Sequence, residues 1–210
     1  MIRTTTTSTQ DFFINAFDKV ILTDDRKNLL LKISREISKE YRKNSVVHLN
    51  FICTHNSRRS QLAQVWGFFA ANYFKLNIHS FSGGTEVTNF YRSTIKTLQK
   101  VGFVFQLHDF SHQNPKYMIS YNGTSSYVLG FSKHYNDAIN RTPYIAITTC
   151  NNADENCPYI PEATNRFHMP FTDPKKSDNT DLQKQTYLKV NQQIAGEIFY
   201  IFSEVKKYLH

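Results

Sequence analysis

One stretch constrains this chain more than any other: Asn50-Phe51-Ile52-Cys53-Thr54-His55-Asn56-Ser57-Arg58-Arg59-Ser60-Gln61. The residues leading into it, Val46 to Ile52, are short, apolar and partly β-branched, the pattern of a buried strand. From Ser57 onward the period changes, with Leu62, Val65, Trp66 and Phe69 recurring at helical spacing. The chain between them must therefore turn tightly from a strand into a helix. Such a loop aims several backbone N–H groups, and the positive end of the helix dipole, at one point. An anion is expected there, held by Thr54, His55, Asn56, Ser57, Arg58, Arg59 and Ser60.

Cys53 sits where those N–H groups converge, and Arg59 can reach back over the loop with a planar fork that matches a tetrahedral oxyanion. Both features favour a thiolate, and the Ser60 hydroxyl can donate to the sulfur. A free cysteine at a strand end is often only a small buried hydrophobe, and two fixed residues recur by chance. A strand, a Cys-x5-Arg-Ser loop and an amphipathic helix in succession form a far more specific pattern.

The 210 residues suit one well-packed domain with elaborations, and 40% hydrophobic content is enough for an ordinary core. No apolar run approaches the length of a membrane span, and the N-terminus lacks the apolar stretch and cleavage site of a secretory signal, so a cytoplasmic protein is expected. The formal net charge of +8 suits an anionic ligand. The basic residues are scattered rather than striped with aromatics, which argues against nucleic acid. Three cysteines make a disulfide framework improbable and turn attention to thiol chemistry. A zinc site would need a fourth close ligand, and His55 and His168 are poorly spaced for one, so neither a metal nor a bound cofactor is expected.

Residues 1–44 read as an N-terminal helical extension packed on the main domain: Phe12, Phe13, Ala16, Phe17, Val20 and Ile21 mark one helix, and Thr23 caps a second lined by Leu30, Ile33, Ile37 and Tyr41. A dimer contact or a lid are other roles open to it. Residues 45–210 read as an α/β domain. Asn77 to Ser82 is a second strand closed by Gly83-Gly84, Tyr91 to Val101 a helix capped at Gly102, and Tyr144 to Thr148 another buried strand. Residues 112–140 read as an insertion, whose alternating runs about Asn122-Gly123 signal a β-hairpin. His168 lies on a short final strand, Asp173-Pro174 makes a turn, Thr180-x-x-Gln183 is a candidate capping box, and Tyr187 to Val205 carries a long amphipathic helix.

Cys150 follows the strand at 144–148. In an open parallel sheet the ligand crevice lies beyond the carboxyl ends of the strands, so Cys53 and Cys150 should be neighbours. Cys150 and Cys157 flank a polar segment of six residues, which can bring their Cα atoms within disulfide range only by bending or unwinding.

At this point the sequence resembles the low-molecular-weight protein tyrosine phosphatase fold and, within it, the thioredoxin-coupled arsenate reductases. The resemblance is carried by Cys53 to Ser60, by Thr148-Thr149-Cys150-Asn151-Asn152-Ala153-Asp154-Glu155-Asn156-Cys157-Pro158, and by Arg166 to Pro174, and covers roughly residues 45–208. It implies a flavodoxin-like three-layer α/β sandwich with a four-stranded parallel sheet. It further implies arsenate reduction: Cys53 attacks arsenic, Asp173 serves as general acid, and a disulfide passes from Cys53 and Cys150 to Cys150 and Cys157, where thioredoxin, an external reductant, removes it. Ser82-Gly83-Gly84 looks like the family's Ser-Ala-Gly loop. Two departures stand in the anion loop. His55 occupies the position of a usual glycine, where it could strain or narrow the loop, and Arg58 stands where a second cysteine is common.

The rival reading is a phosphatase acting on phosphorylated groups, which needs only Cys53, Arg59 and Asp173. It leaves the cysteine pair unused, and Lys175-Lys176 stand where tyrosine phosphatases usually carry aromatics. A third reading is a non-catalytic anion-binding or redox-sensing module.

Overall fold

A computed structural model describes residues 8–156 and 159–210. The chain runs α1 (Thr9–Lys19), α2 (Asp24–Asn44), β1 (Val47–Cys53), α3 (Arg59–Tyr73), β2 (Ile78–Gly84), α4 (Arg92–Lys100), β3 (Phe103–Asp109), β4 (Lys116–Tyr121), β5 (Val128–Gly130), β6 (Tyr144–Thr148), α5 (Asn151–Asn156), β7 (Ala163–His168) and α6 (Gln183–Leu209), with a 3-10 turn at Pro174–Ser177.

β1, β2, β6 and β7 form a parallel sheet in the order β2-β1-β6-β7. Because strand side chains alternate, the central strands feed two cores. Leu49 and Phe51 of β1 and Ile145 and Ile147 of β6 join an apolar core with α1, α2, α3 and α6. Ile52, Tyr144 and Ala146 face the other way, onto Cys150, Ala153 and Ile160. The segment after β5 covers that second face too, where Asn50 Nδ2 donates to Tyr135 O (2.9 Å). The result is the three-layer α/β sandwich with a four-stranded parallel sheet.

The N-terminal helices share the main core. Phe13 of α1 is fully buried and stacks on Trp66 of α3, with ring centroids 5.4 Å apart. At Gly196 of α6 a Cβ would lie 2.5 Å from Ala16 O, so only glycine lets the two helices approach this closely. Ser8 and Thr23 cap α1 and α2 through their hydroxyls. No helix among the described residues is long and apolar enough to cross a membrane.

The β4–β5 hairpin lies where Asn122-Gly123 signalled it, with Gly123 at φ +90°. It is not a lone hairpin: β3 pairs antiparallel with β4, making a three-stranded sheet that begins before residue 112. The alternation of Phe103, Phe105 and Leu107 carried that signal, and the helix cap at Gly102 obscured it. The capping box at Thr180 and Gln183 does not form. The Thr180 hydroxyl donates to Ser177 O (2.8 Å), Gln183 Nε2 donates to Asp178 Oδ1 (3.0 Å), and Leu182 is the N-cap of α6.

Candidate active site

β1 ends at Cys53, buried at 4% exposure, and α3 begins at Arg59. The loop between them is held from outside by its carbonyls. Cys53 O accepts from Thr85 N (3.2 Å), Thr54 O from Glu86 N (2.8 Å), His55 O from the Ser132 hydroxyl (2.8 Å), Asn56 O from Gln61 Nε2 (3.0 Å) and Ser57 O from Tyr91 N (3.2 Å). With those carbonyls directed outward, the opposing N–H groups are left for the inside of the turn. The N–H groups of His55 to Arg59 donate to no protein acceptor among the described residues. That is the geometry of an anion nest at a helix N-terminus.

Gly84 makes this packing feasible. A Cβ there would lie 2.7 Å from Thr54 O and 2.8 Å from Asn56 N, inside the wall of the loop.

The left-handed residue of the loop is Asn56, at φ +46°, and not His55. His55 therefore does not strain the backbone; its ring Nε2 lies 3.2 Å from Glu86 Oε2 at the rim. Asn56 is fully buried. Its Nδ2 donates to Ser60 Oγ (2.8 Å), and its Oδ1 accepts from Lys133 N (2.9 Å) and Gln61 Nε2 (3.2 Å). Ser60 Oγ, already accepting from Asn56, lies 3.0 Å from Cys53 Sγ, so its hydroxyl proton is free to point at the sulfur. No feature of sequence spacing singled out this Asn56 relay.

Arg59 and Asp173 meet across the mouth of the loop, with Nη2 2.7 Å from Oδ2, and Arg59 Nη1 also donates to Phe171 O (3.1 Å). Asp173 Oδ1 in turn accepts from Lys175 N (3.0 Å), capping the 3-10 turn that Pro174 starts. The Arg58 side chain turns away from the anion loop. Its Nη2 pairs with Asp178 Oδ2 (2.7 Å), its Nε donates to the Tyr187 hydroxyl (2.7 Å), and its guanidinium lies 4.0 Å from the centroid of the Tyr91 ring. Burial pushes the Asp178 carboxyl upward, but hydrogen bonds from Tyr187, Gln183 and Arg58 outweigh it and hold the group below the usual range. Of the residues expected to hold an anion, Arg58 thus commits its side chain to Asp178 and to Tyr187 of α6.

Cys150 lies on the opposite wall. Thr149 N donates to Ile52 O (2.7 Å), which docks the end of β6 against the start of the loop, and Cys150 Sγ lies 3.5 Å from Thr54 Oγ1. Cys53 and Cys150 belong to one buried cluster and are both free. Cys150 leads into α5, whose Asp154 Oδ1 accepts from the Thr148 hydroxyl (2.7 Å), pairs with Arg166 and lies 3.3 Å from His168 Nδ1. Cys157 lies outside the described residues. Among the described residues, no group of His, Cys, Asp and Glu is placed to hold a metal ion.

No family model matches the chain. Arsenate reductase 1 of Staphylococcus epidermidis is 31% identical over 138 residues, 64% of this chain and 83% of that protein. Arsenate reductase of Bacillus subtilis is 26% identical over 157 residues, 75% and 95% of the two chains. Among solved structures, the arginine phosphatase YwlE superposes with a TM-score of 0.52 at 11% identity, covering 77% of this chain and 97% of that one. The low-molecular-weight protein tyrosine phosphatase of T. tengcongensis gives a TM-score of 0.51 at 12% identity, with coverage of 75% and 98%. The structural likeness speaks for the fold, the sequence likeness for descent: this chain belongs to the arsenate reductase family, built on the low-molecular-weight protein tyrosine phosphatase fold.

Proposed function

We propose that this chain reduces arsenate to arsenite by passing two electrons through three thiols. The observation that carries the reading is the placement of two buried free thiols, Cys53 and Cys150, about one anion loop, with Thr54 in contact with the second.

The loop N–H groups and Arg59 bind the oxyanion, and the Cys53 thiolate attacks arsenic while Asp173 protonates the departing oxygen, which leaves as water. A Cys53–arsenate adduct remains. The Cys150 thiolate then attacks Cys53 Sγ. As the new S–S bond forms, the S–As bond breaks and its electron pair stays on arsenic, which departs as arsenite. Cys157 next attacks Cys150, freeing Cys53, and the Cys150–Cys157 disulfide is reduced by thioredoxin. The relay needs no bound cofactor, and it suits a cytoplasm that keeps thiols reduced.

Asp173 must leave Arg59 for this to work, because the guanidinium cannot fork both the carboxylate and the incoming oxyanion with the same N–H groups. Anion binding would release the acid at the moment it is needed.

The test is arsenite production with thioredoxin, thioredoxin reductase and NADPH, run beside Cys150→Ser, Cys157→Ser and a phosphate-ester control. Turnover by the wild type, with each variant stopping after one equivalent or fewer, supports the relay. Untouched arsenate together with equal ester hydrolysis by all three proteins would establish the phosphatase reading, for which Cys53, Arg59 and Asp173 suffice.

A further inference from the structure

Lys133 is a fully buried amine, at 2% exposure, and its Nζ has no hydrogen-bond partner among the described residues. An ammonium in such a place is ordinarily paired or absent. The Phe131 ring lies beside it, its centroid 4.8 Å away. Its backbone is bonded to the anion loop and to the strand beside it. Lys133 N donates to Asn56 Oδ1 (2.9 Å), and Lys133 O accepts from Gly84 N (2.9 Å), the residue in register with Cys53. From Asn56 the chain of contacts continues to Ser60 and to Cys53 Sγ.

Among the described residues the surroundings offer dipoles and one acidic group. Asn50, Gln61 and Asn140, whose amides all donate to this segment, each keep a buried side-chain oxygen without a donor among the described residues. Asp137 is the acidic group that acts on the amine. His134 is engaged with Asn136 Oδ1 (2.6 Å), Lys116 of β4 lies 5.4 Å from the same Phe131 ring, and Glu86 is occupied by His55 at the rim. From α3 the side chain bonded to this segment is the uncharged Gln61.

We propose that Lys133 is a positioning residue of the oxyanion loop, a buried amine carried on the backbone that braces Asn56, whose charge strengthens binding of a tetrahedral oxyanion without touching it. The proposal rests on the oxyanion reading of the loop. A positive charge in a poorly screened interior acts over several ångströms, and an anion in the loop is the charge it lacks. Burial pulls the amine down to about 7, only partly opposed by Asp137, so the protein would carry this charge at pH 6 and largely lack it at pH 8.5.

The experiment measures phosphate affinity of the reduced full chain by calorimetry at pH 6 and pH 8.5, for wild type, Lys133→Met and Lys133→Gln. The ratio of variant to wild-type Kd at each pH cancels the titration of phosphate itself. The expected ratio is roughly tenfold at pH 6 and close to one at pH 8.5, for both variants. A purely structural role would weaken binding equally at both values, and a ratio that does not change with pH overturns the proposal. A wild type that binds no phosphate at either pH overturns the oxyanion reading itself, and this inference with it.

Discussion

Arg59 and Asp173, separated by 113 intervening residues, close on one another at 2.7 Å across the mouth of the Cys53 loop, and the Nε of Arg59 is buried there without a partner among the described residues. The pair unites the residue suited to hold an oxyanion with the residue suited to protonate what leaves it. An Asp173→Asn variant keeps the shape and removes both the proton and the ion pair. Arsenite formation at saturating arsenate is expected to fall about 100-fold or more. Phosphate should bind no more weakly, since Arg59 is released from its carboxylate. Weakened phosphate binding with an unchanged rate would assign Asp173 to the structure of the mouth instead.

Asn56 combines a left-handed backbone with a buried amide that bonds Ser60, Gln61 and Lys133. Asn56→Ala leaves the Lys133 N–H without its acceptor and places alanine in a conformation it tolerates poorly. Urea denaturation should show a loss of about 3 kcal/mol, and Asn56→Gly, which relaxes the backbone alone, should recover about 1 of these. Equal losses in the two variants would assign the whole effect to the side chain.

At Gly84 a methyl group would enter the loop wall, 2.6 Å from Glu86 O and 2.7 Å from Thr54 O. Gly84→Ala is expected to cost about 2 kcal/mol and to abolish measurable phosphate binding. Thermal unfolding with and without phosphate reads both: the ligand-induced rise in Tm should vanish even after the lower starting value is allowed for.

Helix α5 is six residues long, and Asp154 tethers it to Thr148 and Arg166. So short a helix has little stability of its own. Asp154→Ala should accelerate hydrogen exchange of the amides of residues 151–156 without changing exchange in β1 or β6. If exchange in α5 is unaltered, the tether does not hold it.

Lys133 makes a sign-specific prediction for stability. Its native value is about 7 against an ordinary 10.5, so between these values the unfolded chain holds a proton that the native chain has released. Stability from this group therefore rises as pH rises from 7 toward 10.5, and it is least at and below pH 7. Relative to Lys133→Met, the wild type should melt progressively closer to the variant, or above it, between pH 6.5 and about 9. Parallel curves across that range would mean that the amine is not titrating.

Much of the frame could be read in the one-dimensional pattern. The strand that ends at Cys53, the helix that follows it and the strand ahead of Cys150 each announce themselves within a few residues, because apolar patterning is a local property. β3 escaped because its edge position leaves Val104, Leu107 and most of its length exposed, so that only Phe103 and Phe105 reach the main core and the alternation is short.

Sequence alone determined the order of strand, anion loop and helix, and the supply of thiols, guanidinium and carboxylate that chemistry at such a loop requires. Tertiary structure decided which of these groups meet. It sent Arg58 to Asp178 and Tyr187 while leaving Arg59 at the mouth, although the two are adjacent and chemically identical, because successive residues entering a helix point about 100° apart. It also moved the left-handed turn to Asn56 and buried the amine of Lys133. Those outcomes depend on partners more than 70 residues away, and no local pattern encodes which distant oxygen a side chain will find.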